Sequence, residues 1–242
     1  MLELKNVKKT YKNIKAVDDL SFRLEHGDVF GLIGANGAGK STTVSMIATL
    51  IKPDSGTIFF NGIDIVKHPK EIHKSLGFVP QEIALYETLT GEDNIEFWAK
   101  AYHIERQLFQ KQRNKVMDII GFTEEMMKIQ VKNYSGGMKR RLNIGVALLH
   151  HPELVIMDEP TVGIDLKSRG QILEAVRELA SEGTGVLYVG HSMEEIEKIC
   201  NRICILVQGK SVFNEILEKA LKRDEKKVSL EQLYIEYTEN KT

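Results

Sequence analysis

The chain divides into three stretches by the period of its apolar positions. The first 82 or so residues read mostly as strands. Leu2-Glu3-Leu4-Lys5-Asn6-Val7 alternates apolar and polar, as a half-buried strand should. Thr57-Ile58-Phe59-Phe60 runs into Asn61-Gly62, a strand entering a hairpin turn. Residues 29–33, V-F-G-L-I, suit a buried parallel strand, and Val44, Ile47, Ala48 and Ile51 follow at helical spacing. From about 83 to 151 the character becomes helical. One helix opens near Gly91 and carries Ile95, Phe97, Trp98 and Tyr102; others cover 107–120 and 136–149. From Pro152 onward strand and helix alternate: strands at 154–157, 185–189 and 203–207, helices at 167–180 and 192–200. That alternation is a parallel α/β pattern, so the helical stretch is an insertion between two halves of one core. The tail, 211–242, follows a strand or hairpin near 210–213 and becomes charged and helical; its run K-R-D-E-K-K at 222–227 reads as a solvated linker.

Composition narrows the class without naming it. The chain has 242 residues, 42% hydrophobic and 28% charged, which is ordinary for a globular protein. Lys+Arg 33 against Asp+Glu 34 leaves a net charge of −1, so nothing global points to nucleic acid or an anionic membrane. Cys200 and Cys204 lie four apart with no other ligand types nearby, and read as small apolar residues of a reducing compartment. No run approaches the ~18 apolar residues of a membrane span, and no signal peptide is visible.

Two segments carry phosphate chemistry. Residues 34–41, G-A-N-G-A-G-K-S, match the phosphate-loop pattern G-x-x-x-x-G-K-S/T. Gly34, Gly37 and Gly39 let main-chain N–H groups close on a phosphate, and a helix beginning near Lys40 aims its positive end there. Lys40 supplies charge for β and γ phosphates, and the Ser41 hydroxyl can ligate Mg²⁺. Downstream, Asp158 and Glu159 end the apolar strand L-V-I-M. An acidic pair at the mouth of a buried strand is costly without a cation or solvent to face. Asp158 would hold Mg²⁺ through water, and Glu159 would orient or deprotonate the attacking water. A third segment, Y-S-G-G-M-K-R-R at 134–141, is a Ser-Gly-Gly turn opening a basic amphipathic helix. Gln81, His191, Tyr11 and Asp165 are each unremarkable alone: a solvated Gln, a structural His, an edge-strand aromatic and a helix cap. Order and context raise them.

In this order the three segments resemble the fingerprint of ATP-binding-cassette (ABC) ATPases, and the likeness covers nearly the whole chain. More narrowly, Tyr134 and Met138 at the two ends of Y-S-G-G-M, with D-E-P-T-V-G-I-D at 158–165 and S-L-E-Q-L-Y-I-E-Y-T at 229–238, resemble the drug- and antibiotic-export subclass. The resemblance implies an α/β fold: a P-loop core with an antiparallel β subdomain and an inserted α-helical subdomain. Its boundaries would be 1–82 and 152–210 for the core, 83–151 for the insertion and 211–242 for a C-terminal extension.

It also implies roles. Lys40 and the loop from Gly34 through Ala35, Asn36, Gly37, Ala38, Gly39, Ser41 and Thr42 bind the phosphates of ATP. Ser41, Gln81 and Asp158 serve Mg²⁺, Glu159 is the catalytic carboxylate, His191 contacts the γ-phosphate, and Tyr11 stacks on adenine. Ser135, Gly136 and Gly137 reach ATP held by a second copy or a homologous subunit in a head-to-tail dimer, and Asp165 crosses that interface. Two positions depart from the pattern: Leu166 replaces the usual Pro, and Val189-Gly190 replaces the usual Ser or Thr pair before His191. The expected protein is a cytoplasmic ATPase held at the inner face of the membrane by a separate polytopic permease, working in export. Its permease groove would involve Leu85, Tyr86 and Leu89, with Phe97 and Trp98 packed inside the helical lobe. Soluble cassettes acting on ribosomes or DNA are the main rival. They carry two cassettes or a long coiled coil, neither of which is present here, so no nucleic acid is expected.

Overall fold

Six strands form the central sheet, and the apolar runs explain it. The computed structural model describes residues 1–223 and 226–239, with 223, 226 and 227 as backbone alone, so Asp224 and Glu225 of the charged run lie outside it. In chain order the first strands are β1 (Leu2–Tyr11), β2 (Ile14–Leu24) and β3 (Val29–Gly34). Helix α1 (Lys40–Ile47), β4 (Ser55–Phe60), β5 (Ile63–Asp64), α2 (Lys70–His73) and β6 (Leu76–Val79) follow. The helical stretch holds α3 (Gly91–Ala101), α4 (Arg106–Ile120), α5 (Glu124–Met127), a 3₁₀ turn (Val131–Asn133) and α6 (Gly136–Leu148). Next come β7 (Leu154–Asp158), α7 (Leu166–Ser181), β8 (Gly185–Val189), α8 (Met193–Ile199), β9 (Arg202–Val207) and β10 (Lys210–Ile216). The chain ends in α9 (Leu217–Leu221), the short strands β11 (Lys222–Arg223) and β12 (Lys226–Lys227), and α10 (Leu230–Glu239).

The central order is β10-β9-β3-β8-β7-β6, parallel throughout except for β10. A separate antiparallel sheet runs β2-β1-β4-β5. Both faces of β3, β7 and β8 are covered, which is why those strands are apolar nearly throughout. Leu154 and Ile156 face a core shared with α1 and the antiparallel sheet. Val155 and Met157 face the other core, shared with α6, α7 and α8. The fold is therefore the P-loop ABC ATPase architecture that the sequence implies. Phosphate loop, Gln81, Asp158 and His191 all lie at or just past the carboxyl ends of parallel strands, where open α/β sheets bind ligands.

Two local expectations need correction. Helix α1 stops at Ile47, because Thr49 takes a left-handed φ of 58°, so Ile51 lies beyond it. Phe97 is 42% exposed rather than packed inside the helical lobe. The buried stripe of α3 is Gly91, Asn94, Ile95 and Ala99, and at ~100° per residue position 97 points away from Ile95. Trp98, on the edge of that stripe, is partly buried against the core.

Candidate active site

The loop between β3 and α1 is shaped by close backbone approach. Gly39 sits at φ 107°, and a Cβ there would lie 2.3 Å from the Ala16 carbonyl oxygen. Only glycine permits both the angle and the contact. It places the first turn of α1 at the end of a cleft of about 800 Å³, within the size range of small-molecule sites. Gly34, Ala35, Asn36, Gly37, Gly39, Lys40, Ser41 and Thr42 line it, with Gln81, Asp158, Glu159 and His191. Ala38 is buried beneath the loop.

Within the cleft the Lys40 ammonium bonds backbone carbonyls, and the Asp158-Glu159 pair lies opposite it with His191 beside Glu159. The Lys40 ammonium is buried and donates to the Gly34 and Ala35 carbonyl oxygens at 2.7 and 3.1 Å. Desolvation pushes its pKa down, with Glu159 and Asp158 opposing. Asp158 is pushed up, first by burial and then by the neighbouring Glu159 charge. Glu159 accepts from Gln81 Nε2 at 3.1 Å and lies 3.4 Å from His191 Nδ1. It does so from a left-handed φ of 49°, held by its own N–H donating to the Val189 carbonyl at 2.9 Å. A buried cation aimed at backbone carbonyls and two carboxylates that repel each other fit a bound polyphosphate with a divalent cation. Each would supply the charge the other lacks.

Ser135, Gly136, Gly137 and Asp165 stand apart from this cleft. Ser135 caps α6, its hydroxyl accepting from Met138 N–H at 3.2 Å. Asp165 caps α7, accepting from Ser168 N–H at 2.9 Å. The two helix starts abut, since a Cβ on Gly137 would lie 2.2 Å from Ser168 Oγ and 2.9 Å from Asp165 Oδ2. Gly136 faces open space. Tyr11 also lies outside the lining, half-exposed and paired across β1–β2 with Ile14, which does line the cleft.

The structure adds residues that sequence reasoning missed. Ile14, Ala16 and Met193 contribute walls, and so does Tyr234 from α10 in the C-terminal extension. Arg140, buried on α6, donates to the Pro80 and Gln81 carbonyl oxygens at 2.8 and 2.6 Å and so ties the helical lobe to the Gln81 loop. The Arg-Arg pair in the sequence was a signal of sorts, but only the fold separates its members. Arg141 instead holds the Ile120 and Gly121 carbonyls.

Residues 17–162 match the model of the ABC transporter family. The linearmycin resistance ATP-binding protein LnrL of Bacillus subtilis (strain 168) is 49% identical over 88% of this chain and 68% of its own length. The daunorubicin resistance ATP-binding protein DrrA2 of Streptomyces coeruleorubidus is 33% identical over 86% of this chain and 65% of its own. Among solved structures, an ATP-binding subunit of an ABC transporter superposes with TM-score 0.88 at 29% identity, over 98% of this chain and 99% of that one. The dimeric structure of MJ0796, a bacterial ABC transporter cassette, gives 0.80 at 27%, over 90% and 99%. The matched segment spans the phosphate loop, Gln81, the Ser-Gly-Gly turn and the acidic strand end, so the chain belongs to the ABC transporter family and is an ATPase, similar to the antibiotic-resistance members named above.

Proposed function

We propose that this chain hydrolyses ATP in a head-to-tail dimer and so drives a separate membrane permease in the export direction. One observation carries the dimer: Ser135, Gly136 and Gly137 stand apart from the cleft that holds Lys40. A helix-opening Ser-Gly-Gly turn offers N–H groups to an anion, and a second copy would bring such an anion to it. The related MJ0796 cassette was solved as a dimer. Within each cleft Lys40 and the loop amides bind the phosphates. Ser41, Gln81 and Asp158 would hold Mg²⁺, which neutralises charge on the β- and γ-phosphates. Glu159 orients and deprotonates the attacking water, His191 fixes Glu159 and the γ-phosphate, and Tyr11 stacks on the base.

Export is supported by the relatives, which include resistance proteins and a Nod factor export ATP-binding protein. No helix among the described residues is long and apolar enough to cross a membrane. The chain would therefore sit at the inner membrane face through its partner. The helical lobe offers the docking place. Tyr86 and Phe97 are exposed at 47% and 42%, with ring centroids 4.7 Å apart, whereas Leu85 packs on the core. An exposed aromatic pair suits the apolar face of a short permease helix.

Mixing tests the shared site. Lys40→Ala and Ser135→Arg chains should each be inactive as homodimers; mixed, they should form one intact composite site per heterodimer and recover ATPase activity. No recovery in verified heterodimers refutes sharing. Co-purification from detergent-solubilised membranes tests the permease: a polytopic membrane protein should accompany wild type and be lost from Tyr86→Asp, with basal ATPase unchanged.

A further inference from the structure

Glu195, on α8, is 5% exposed, yet the phosphate chemistry uses none of it. Its Oε2 accepts from Thr161 Oγ1 at 2.6 Å and from the Tyr188 hydroxyl at 2.7 Å. Its Oε1 faces Arg169 Nε at 3.2 Å, an ion pair without a straight N–H···O bond. These partners come from the flanks of both catalytic loops. Thr161 is two residues past Glu159, and Arg169 is four past Asp165 on α7. Tyr188 is three before His191, and Glu195 itself four after it. A cavity of about 190 Å³ joins Glu159 and His191 to Thr161, Arg169 and Glu195.

The β7–β8 ladder ends with Asp158 opposite Val189; past it Glu159 N–H donates to the Val189 carbonyl, and Thr161 Oγ1 lies 3.3 Å from the Tyr188 hydroxyl. Glu195 Oε2 accepts from both of those hydroxyls and so clamps the two segments together from behind. Gly190, just before His191, adds no side chain to stiffen its own loop. Stability alone is a poor reason for the cluster, since a buried ion pair is often replaceable by apolar residues at no cost.

We propose that Glu195 is a positioning residue that sets the separation of the Glu159 and His191 loops. Through Arg169 it also keeps the first turn of α7 in register with them. That turn carries Asp165 and Ser168, against which Gly137 rests. The cluster therefore joins a chain's own hydrolytic pair to the segment it offers its partner. The inference rests on Glu159 and His191 being the catalytic pair.

The test uses the full-length protein, ATP turnover, nucleotide binding and thermal unfolding. Glu195→Gln keeps the shape and one acceptor but loses the charge facing Arg169. Its kcat should fall about tenfold or more, while KM for ATP stays within about threefold, because groups that only orient the hydrolytic pair act on the transition state. Residues acting as a unit are non-additive, so Glu195→Gln placed in His191→Ala should lower the residual rate by less than about twofold. Wild-type kcat in Glu195→Gln, or losses that multiply in the double variant, overturns the proposal. Should Glu195→Gln not fold, Tyr188→Phe removes one donor alone; it should lower kcat several-fold at constant KM, and an unchanged kcat overturns the proposal equally. Glu159→Gln and His191→Ala run alongside. Wild-type turnover in those two would instead show that the catalytic pair beneath the inference is misassigned.

Discussion

Replacing Glu159 by Gln isolates one atom's worth of chemistry. The side chain is nearly isosteric, and Gln can still accept from Gln81 Nε2, now at 3.1 Å from Glu159 Oε2. The left-handed φ of 49° costs Gln what it costs Glu, so the fold and its melting temperature should hold. What disappears is the ability to take a proton from water. A positioned general base is worth about 10²–10⁴ in rate, or roughly 3–5 kcal/mol of barrier. Turnover should fall by that factor. Binding should move the other way. Glu159 is one of two like charges beside the phosphate site, and its repulsion helps push Asp158 up. Removing it spares an incoming triphosphate one unfavourable contact and leaves Lys40 on its two carbonyls. ATP affinity should stay equal or tighten several-fold, and an ATP-bound dimer should persist on size-exclusion chromatography. Phosphate release under saturating ATP and fluorescent-nucleotide titration give the two numbers. A kcat within about threefold of wild type refutes Glu159 as the base, and loss of ATP binding refutes the charge argument.

Tyr11→Ala should weaken ATP binding up to about tenfold, from ~1 kcal/mol of stacking, and Tyr11→Phe should be nearly neutral; equal losses in calorimetry would show that the hydroxyl, not the ring, matters. In the helical lobe, buried Arg113 forks onto Glu92 and Glu124 through bonds of 2.6–2.9 Å. Arg113→Ala should cost about 2–3 kcal/mol in urea unfolding at neutral pH. The Arg113 hydrogen bond holds Glu124 below its usual 4.5. The Glu124 share of that stability is thus present above the unfolded value and lost as pH falls through the lower folded one. The gap between variant and wild type should narrow in acid, and a constant gap would refute the pairing. Burial pushes Cys204 up to about 12 and raises Cys200 as well. A thiol-exchange reagent at pH 8 should find neither until the protein is denatured; a fast-reacting native thiol would contradict their burial.

Local grammar and simple energetics made much of this legible. A strand buried on both faces must be apolar at every position, so 154–157 and 185–189 declare themselves without any knowledge of their neighbours. A phosphate loop is equally local, since strand, glycines, lysine and helix lie within about twenty residues and each constrains the next. The stop of α1 was not legible, because Thr49 carries no glycine or proline flag for its left-handed turn. Phe97 misled for a different reason: aromatic content suggests burial, but the face of a helix decides it, and α3 turns that ring outward beside Tyr86.

The residues that stayed hidden share one physical property: their meaning is a distance between places far apart in the chain. Arg140 looks like its neighbour Arg141 until the fold brings Pro80 and Gln81, about sixty residues upstream, onto its guanidinium. Tyr234 sits in a charged tail and reaches the nucleotide cleft because Leu230 and Leu233 bury α10 against the body of the protein. Glu195 is one glutamate in M-E-E-I-E, and the helix alone makes Glu194 and Glu197 equal candidates. Only Glu195 faces inward, where Thr161 is 34 residues away and Tyr188 seven. A motif reports groups that must be near each other in sequence to bind phosphate. It is silent about groups that hold two motifs at a fixed separation, because that job can be done from any element that happens to pass behind both. In this fold the passing element is α8. It begins two residues after His191, and its first turn brings Glu195 back under the loop that carries Glu159.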